Sequence, residues 1–495
     1  MKNSLKHSRT LMIASSALLT LIFIIFSIIT NDEIINKDNA VYLFILYIYV
    51  FYLLIIIITE YYKNNITSHL ALFSFAMILY FGIFGILYYD EVFYYNPKNR
   101  AYHLGAIFLV MCYTLIYHLI SLCLEKSFPF RNKYNQRTVM WSSDKVLLVV
   151  IILLSLGYFG RYLIIEKGLY LQMTIVNITR GNLFIPNIGI IRFMEILPDI
   201  AAWVAWIHYL HKIKTNKIVN LKLWQMLSIT LIFFSIVYWI PTGRKYLIVQ
   251  VLIIPLIIWY MTFKMLPKLK YIFITVLLIL IMFPALHIYR VAQENYLGST
   301  NVVFSLNEII EVIDNTLNQV SDVHEVGAQG RAYGRLSEIE VVSGAIRVIE
   351  EDIVPLKWGK NYFDAFVNLV PRAIWPEKPY VFYGNEFGHL IGLIPYYDIS
   401  TSIAPTLIGE AYLNFRMFGI FIAVIVALIF HVLNKQEMFM RSPQSGRLLY
   451  VIAIPTLLYV DASFALYFSA LFQLWFFVYL LCWFMQTKLS RVQYE

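Results

Sequence analysis

Charge is what this sequence has least of. Only 14% of its 495 residues are Asp, Glu, Lys or Arg, while 60% are hydrophobic. Soluble domains carry about a quarter charged residues, so this balance excludes an ordinary cytosolic enzyme. Cysteine is scarcer still. The three thiols, Cys112, Cys123 and Cys482, stand in apolar runs without pair spacing, which excludes a disulfide framework and a thiolate metal site. Gly (21) and Pro (16) are ordinary for the length and aromatics reach 17%, so the chain is neither fibrous nor disordered. The sequence also lacks a GxxxxGK[ST] loop, an HExxH pair, a CxxC pair and a GxSxG elbow, which argues against a nucleotide site, a zinc hydrolase and a serine hydrolase.

What is present is long apolar runs. A helix needs about 20 mainly apolar residues to cross the bilayer, and about twelve such runs occur. They lie near 11–30, 39–59, 68–88, 102–124, 145–165, 190–211, 222–241, 244–263, 270–289, 412–433, 447–466 and 468–486. The expected fold is therefore all-α and polytopic. Lys2, Lys6 and Arg9 precede the first run as in a signal peptide, but its length and the spans that follow read as a retained helix.

Lys and Arg in short loops set orientation. With the N-terminus inside, the inner loops carry Lys126, Arg131, Lys133 and Arg137; Lys212, Lys214, Lys217 and Lys222; Lys264, Lys268 and Lys270; Lys435, Arg441 and Arg447; and Lys488 and Arg491. Both termini are thus expected in the cytoplasm. The net charge of +9 is mostly this topology signal, and nucleic acid is not an expected partner. Three parts follow: an N-terminal bundle of about nine helices over 1–289, an extracytoplasmic loop domain over 290–411, and a C-terminal bundle of about three helices over 412–495. Leu306, Ile309, Ile310, Ile313, Leu317 and Val320 repeat at helical spacing, so the loop is expected to be folded and mainly helical. Long structured loops tend to carry function.

Ionisable groups inside spans mark function by default. Arg161, Arg192, Glu195, Asp199, Arg244, Lys245, Arg290, Arg416 and Asp461 all fall toward the outer side in this topology. Coupled transporters keep such groups near the midplane in matching halves, and neither feature is visible. The pattern reads as an outward cavity rimmed by arginines, to which Arg180, Arg331, Arg335 and Arg372 add. Snorkelling or structural pairing is the competing reading. A guanidinium fork suits a diphosphate, and equally a phospholipid head.

The stretch 359–419 reads GKNYFDAFVNLVPRAIWPEKP, then GNEFGHLIGLIPYYDISTSIAPTLIGEAYLNFRMFG. It resembles the Wzy-type oligosaccharide repeat-unit polymerases of O-antigen and capsular polysaccharide. The PR-x-x-WP-x-KP element falls on Pro371, Arg372, Trp375, Pro376, Lys378 and Pro379. The N-x-FG segment falls on Asn385, Phe387 and Gly388, the D-x-x-TS turn on Asp398, Thr401 and Ser402, and E-x-Y-x-NF on Glu410, Tyr412, Asn414 and Phe415. Arg416 stands where the family usually has glycine. Thr242 to Arg244 resembles a short arginine element of the same family.

The resemblance implies a GT-C-like membrane glycosyltransferase in a bacterial cytoplasmic membrane. It would join undecaprenyl-diphosphate-linked oligosaccharides at the outer face and release undecaprenyl diphosphate, with no cofactor and no metal. Membrane lipids would surround it, and a chain-length-regulating co-polymerase is a partner left open. Positive charge must meet the leaving diphosphate: Arg244, Arg290 and Arg372 are first choices, Arg180 and Lys378 second. The attacking hydroxyl needs a base or strong acceptor: His389, Glu410 and Asp398 are the candidate catalytic groups, each with a structural alternative as a loop, pairing or turn-capping residue. Trp375, Asn385, Tyr412, Asn414 and Arg416 are the candidate substrate contacts. Tyr380, Tyr383, Tyr396 and Tyr397 either stack on sugars or form an interfacial belt. Two alternatives stay open: an O-antigen-ligase-like glycosyltransferase, and a flippase or transporter for the same lipid-linked sugar.

Overall fold

The computed structural model describes residues 39–87, 97–127, 139–167, 170, 188–216, 220–242, 244–279, 282, 338–370, 375, 384–394, 402–436 and 440–488. The helices expected over 11–30 and 306–320 lie outside these residues.

In chain order the helices are α1 (Asn39–Tyr62), α2 (His69–Met77), α3 (His103–Ser127), α4 (Ser143–Glu166), α5 (Ile188–Glu195), α6 (Leu197–Lys214), α7 (Leu221–Trp239), α8 (Lys245–Phe263) and α9 (Leu269–Ile279). They continue as α10 (Glu338–Glu350), α11 (Lys360–Leu369), α12 (Gly384–Leu390), α13 (Thr406–Phe415), α14 (Ile422–Asn434), α15 (Pro443–Val451), α16 (Ile454–Leu458) and α17 (Phe464–Met485). A 3-10 turn, Arg416–Phe421, makes α13 and α14 one continuous span. Among the described residues, seven helices are long and apolar enough to cross a membrane: α1, α3, α4, α7, α8, the α13–α14 unit and α17. Large apolar side chains stand exposed along them, Phe44 and Phe51 on α1, Ile151 and Phe159 on α4, Phe233 on α7 and Trp483 on α17 among them. That belt is stable against lipid and not against water. The chain is an all-α membrane protein.

Local chemistry explains the breaks. The run 190–211, expected as one span, is two helices because Pro198 in the first turn of α6 has no N–H to continue the α5 ladder. The run 447–466 is likewise divided: Pro455 opens α16, and residues 459–463 turn before α17 begins. After α2 the chain passes through a π-helical turn, Ile78–Ile83, an element often found where a helix serves function.

A short antiparallel ribbon pairs Val139–Trp141 with Gln486–Lys488 and so joins the start of α4 to the end of α17. Trp141 locks it onto α15: its N–H donates to Gln444 Oε1 and its indole to Ser445 Oγ at 2.9 Å. The end of the bundle away from this ribbon carries α10, α11 and α12, here termed the cap end. Helix α10 is held there by its polar residues. Glu340 takes His103 Nε2 at 2.5 Å and Asn99 Nδ2 at 2.7 Å, while Arg347 donates to Asn99 Oδ1, Glu351 Oε2 and the Leu390 carbonyl. The contact between His103 and Glu340 is buried on both sides, so removing one partner costs about 3–5 kcal/mol, whereas Glu351 is exposed.

Candidate functional site

The break between α5 and α6 builds the first half of the site. It frees the carbonyl of Glu195 and turns the Glu195 and Asp199 side chains into the cap end of the bundle. Helix α4 can approach the break because Gly157 and Gly160 face it: a Cβ on Gly157 would overlap the Pro198 ring, and one on Gly160 would lie 2.5 Å from Met194 Cβ. Arg161, one residue after Gly160, fills the gap. Its Nε donates to Glu195 O at 3.2 Å, its Nη2 pairs with Asp199 Oδ1 at 3.0 Å, and its guanidinium lies 3.9 Å over the Tyr238 ring. Trp239 Nε1 satisfies the other Asp199 oxygen at 2.8 Å.

Glu195 is the second node. Its Oε1 accepts from the Tyr238 hydroxyl at 2.9 Å, and its Oε2 is shared by Arg192 at 2.7 Å and Arg244 at 3.4 Å. Three guanidiniums thus face two carboxylates. Arg161 is held by Glu195 O, Asp199 and the Tyr238 ring, whereas among the described residues the Arg244 side chain, 10% exposed, makes one long ion pair with Glu195 and lies 5.8 Å over the Trp239 ring. Arg244 is placed by the TGR element itself: Thr242 Oγ1 donates to Trp239 O and accepts from Arg244 N, ending α7 and starting α8. Spare donors on a half-buried guanidinium beside excess positive charge are what an anion with several oxygens requires.

The family-like motif builds the second half, as an interlock. Glu410 is buried on α13; its Oε1 accepts from Asn361 at 3.0 Å and its Oε2 from the Phe464 backbone N–H at 2.5 Å, at the first turn of α17. Asn414 Oδ1 accepts from Gly359 N, whose φ of +84° suits glycine alone, and its amide donates back to Glu410 O. The Tyr412 hydroxyl donates to Glu350 Oε1 at 2.7 Å, and Arg416 reaches Glu350 and Asp352 at 3.8 and 3.9 Å from an exposed position. Lys357 lies in the field of Glu410, Glu386 and Asp364, yet burial outweighs them and holds its ammonium below the usual lysine range. Among the described residues Glu410 pairs with no arginine; it ties the cap to α17.

His389 Nδ1 bonds the Ile394 carbonyl at 3.1 Å and closes the turn after α12, where Asn385 also sits. Trp375 is exposed. Asp398, Arg180, Arg290, Arg372 and Lys378 lie outside the described residues. The structure thus gathers Glu410, Tyr412, Asn414 and Arg416 in one interlock and sets Arg244 in another, and the turn 459–464 joins the two. Tyr459 packs edge-on against Tyr246 with centroids 5.5 Å apart, Val460 O accepts from Leu407 N, and Phe464 N meets Glu410.

Several residues here carry no motif. Tyr238 and Trp239 precede TGR and looked like ordinary span aromatics. Glu338 falls on α10, where every residue from 338 to 349 is buried, so no polar face betrayed it. Toward the ribbon end, a seam of intramembrane histidines links Tyr52, His118 and Ser74, and Tyr117, His69 and His431. Apolar-run counting passes over neutral imidazoles. Among the described residues no group of three or more metal-ligating side chains converges.

Fold and site define an all-α membrane protein with a buried cationic cluster beneath a helical cap. The chain belongs to the family described as a domain of unknown function, DUF8712, whose model matches residues 135–491. No curated protein and no solved structure matches it.

Proposed function

We propose that this protein is a GT-C-like membrane glycosyltransferase that polymerises undecaprenyl-diphosphate-linked oligosaccharide repeat units. In this reading about twelve spans cross a bacterial cytoplasmic membrane with both termini inside. The cap over 290–411 faces outward, and the glycan is transferred there with release of undecaprenyl diphosphate. The observation that carries it is the arginine cluster: Arg244, whose one ion pair among the described residues is the 3.4 Å contact with Glu195, stands beside Arg192 and Arg161 with donors of the kind a diphosphate needs. The Glu410 and Asn414 interlock supports the same reading, because it fixes the motif segment next to that cluster through residues 459–464. Activated glycan supplies the driving force, in keeping with a sequence free of nucleotide-site motifs.

The test is incubation of the purified full-length protein in lipid nanodiscs with lipid-linked repeat units extracted from the cells of origin, followed by gel analysis. A ladder without added nucleotide is expected. Arg244→Ala should cut ladder formation by about 10²-fold, and Arg244→Lys, which keeps charge but loses the fork, should regain only part of it. Unextended substrate with the unaltered protein overturns the proposal.

A further inference from the structure

Helix α11 belongs to the segment expected to lie outside the membrane, yet it runs along a span. Its Tyr362 ring packs on Phe464 with centroids 5.1 Å apart, its Phe366 ring on Phe468 at 6.3 Å, and its last two residues, Asn368 and Leu369, meet Gln473. The partners advance together along both chains, so α11 and α17 are parallel. At 1.5 Å per residue, the contacts from Phe464 to Gln473 carry α11 about 14 Å from the cap end toward the ribbon.

Depth follows from α17. Its far end runs into the ribbon at Gln486, whose carbonyl accepts from Lys145 Nζ at 3.2 Å, so charge marks that boundary. About 20 helical residues cross the hydrocarbon, and counting back that far from Met485 reaches the first turn of α17. The apolar window of this helix is Phe468–Met485. The last turn of α11, level with Phe468 to Gln473, therefore stands at hydrocarbon depth.

The side chains of α11 fit that depth. Phe363 is 68% and Phe366 60% exposed, and Phe366 joins the belt of α17 ring by ring, through Phe468 to Phe472. Trp358 and Lys360 stand exposed at the head of the helix, a ring and an ammonium of the kind that settle at headgroup level. A helix that ends in hydrocarbon leaves its last carbonyls unmet, which lipid does not tolerate. Gln473, an exposed amide within an apolar span, answers this: its Nε2 donates to Asn368 O at 3.1 Å and to Leu369 O at 3.2 Å. The same two bonds satisfy a glutamine that would otherwise face lipid alone.

We propose that α11 is a re-entrant helix seated in the leaflet at the cap end, with Phe363 and Phe366 against lipid acyl chains and Gln473 closing its lower end. The segment 290–411 thus dips into the bilayer without crossing it. Asn361 on the same helix donates to Glu410 at 3.0 Å, so the Glu410 interlock is fastened to an element that touches lipid.

The experiment uses the full-length protein in phosphatidylcholine nanodiscs. Phe366→Cys and Lys98→Cys are treated with a membrane-impermeant maleimide, and the unaltered protein, with Cys112, Cys123 and Cys482, supplies the baseline. Both positions are exposed in the fold. Only the thiolate reacts and hydrocarbon suppresses it, so Phe366→Cys should label more slowly than Lys98→Cys by about tenfold or more. A p-benzoylphenylalanine in place of Phe366, which keeps a ring there, should photo-crosslink to phospholipid. Equal labelling rates, or a crosslink to a second protein chain with none to lipid, overturn the inference. Should Phe366→Cys fail to fold, the crosslink decides alone: absence of a phospholipid adduct overturns the inference. Neither readout involves glycan, so the result is separate from that of the ladder experiment.

Discussion

At the scale of single residues, Arg416 shows why the backbone and the motif must be read together. Its φ of +50° and ψ of −138° belong to a region that glycine tolerates and arginine does not. Strain of about 1–3 kcal/mol is set against two long, exposed ion pairs worth at most about 1 kcal/mol together. Arg416→Gly should therefore raise stability by about 1 kcal/mol, seen as a higher thermal midpoint in detergent, with chain extension retained. A lower midpoint would show that Arg416 has better partners than Glu350 and Asp352. Glu338 gives a second prediction. Its folded-state pKa lies above the ordinary value near 4.5, so the folded chain binds the proton more tightly than the unfolded one. Stability is then full below about pH 4.5 and falls as pH rises toward the raised value, by at most about 1.4 kcal/mol per pH unit. Glu338→Gln should flatten unfolding curves collected across that window; an unchanged slope contradicts the assignment.

At the scale of elements, the site depends on three helices meeting at one break. Pro198 ends the α5 ladder, Gly157 and Gly160 let α4 come close, and Arg161 then reaches Glu195 O and Asp199. Gly160→Leu should drive α4 away from Met194, destabilise the fold by about 1–3 kcal/mol and take chain extension with it. Gly189→Ala on α5, where nothing lies within 4 Å of the added carbon, is the control and should change neither. Unfolding midpoints of the two variants, measured together, decide the matter. Legibility followed the same logic. In the sequence Arg192, Glu195 and Asp199 stand at i, i+3 and i+7, the spacing of one helical face, with Pro198 among them. The partners Arg161, Tyr238 and Trp239 come from other helices, and no local pattern encodes a long-range approach that depends on two missing Cβ atoms. Apolar length found α1, α3, α4, α7, α8 and α17 with ends within about four residues. The divided helices follow their prolines: Pro198 parts α5 from α6, Pro455 opens α16 after α15 ends at Val451, and α16 stops just before Tyr459 turns to meet Tyr246.

At the scale of the whole molecule, the segment expected as a loop domain over 290–411 is helical where it is described, in α10, α11, α12 and the start of α13. The role the structure gives Glu410 and Asn414 was not legible. A glutamate in a motif reads as an acid or a base, whereas here both its oxygens are occupied by Asn361 and Phe464. The difference lies in burial and partners, which depend on chain segments more than fifty residues apart.

The small ribbon has a consequence for how the chain divides. Its strands, Val139–Trp141 and Gln486–Lys488, stand just inside the two limits of the family match, 135 and 491. The matched region is therefore a loop of polypeptide fastened at its own neck, and helices α1 to α3 are an attached block with a separate origin in the chain. That block contributes His103 and Asn99 to the cap end and Tyr117, against Phe430 of α14, to the interior, but among the described residues no strand to the clasp. A gene divided between residues 127 and 139 should consequently yield two polypeptides that recombine in the membrane and copurify through a tag on either one. Replacing the ribbon residue Trp141 by alanine, which removes both bonds to α15, should loosen the larger fragment far more than a surface substitution on α1 loosens the smaller.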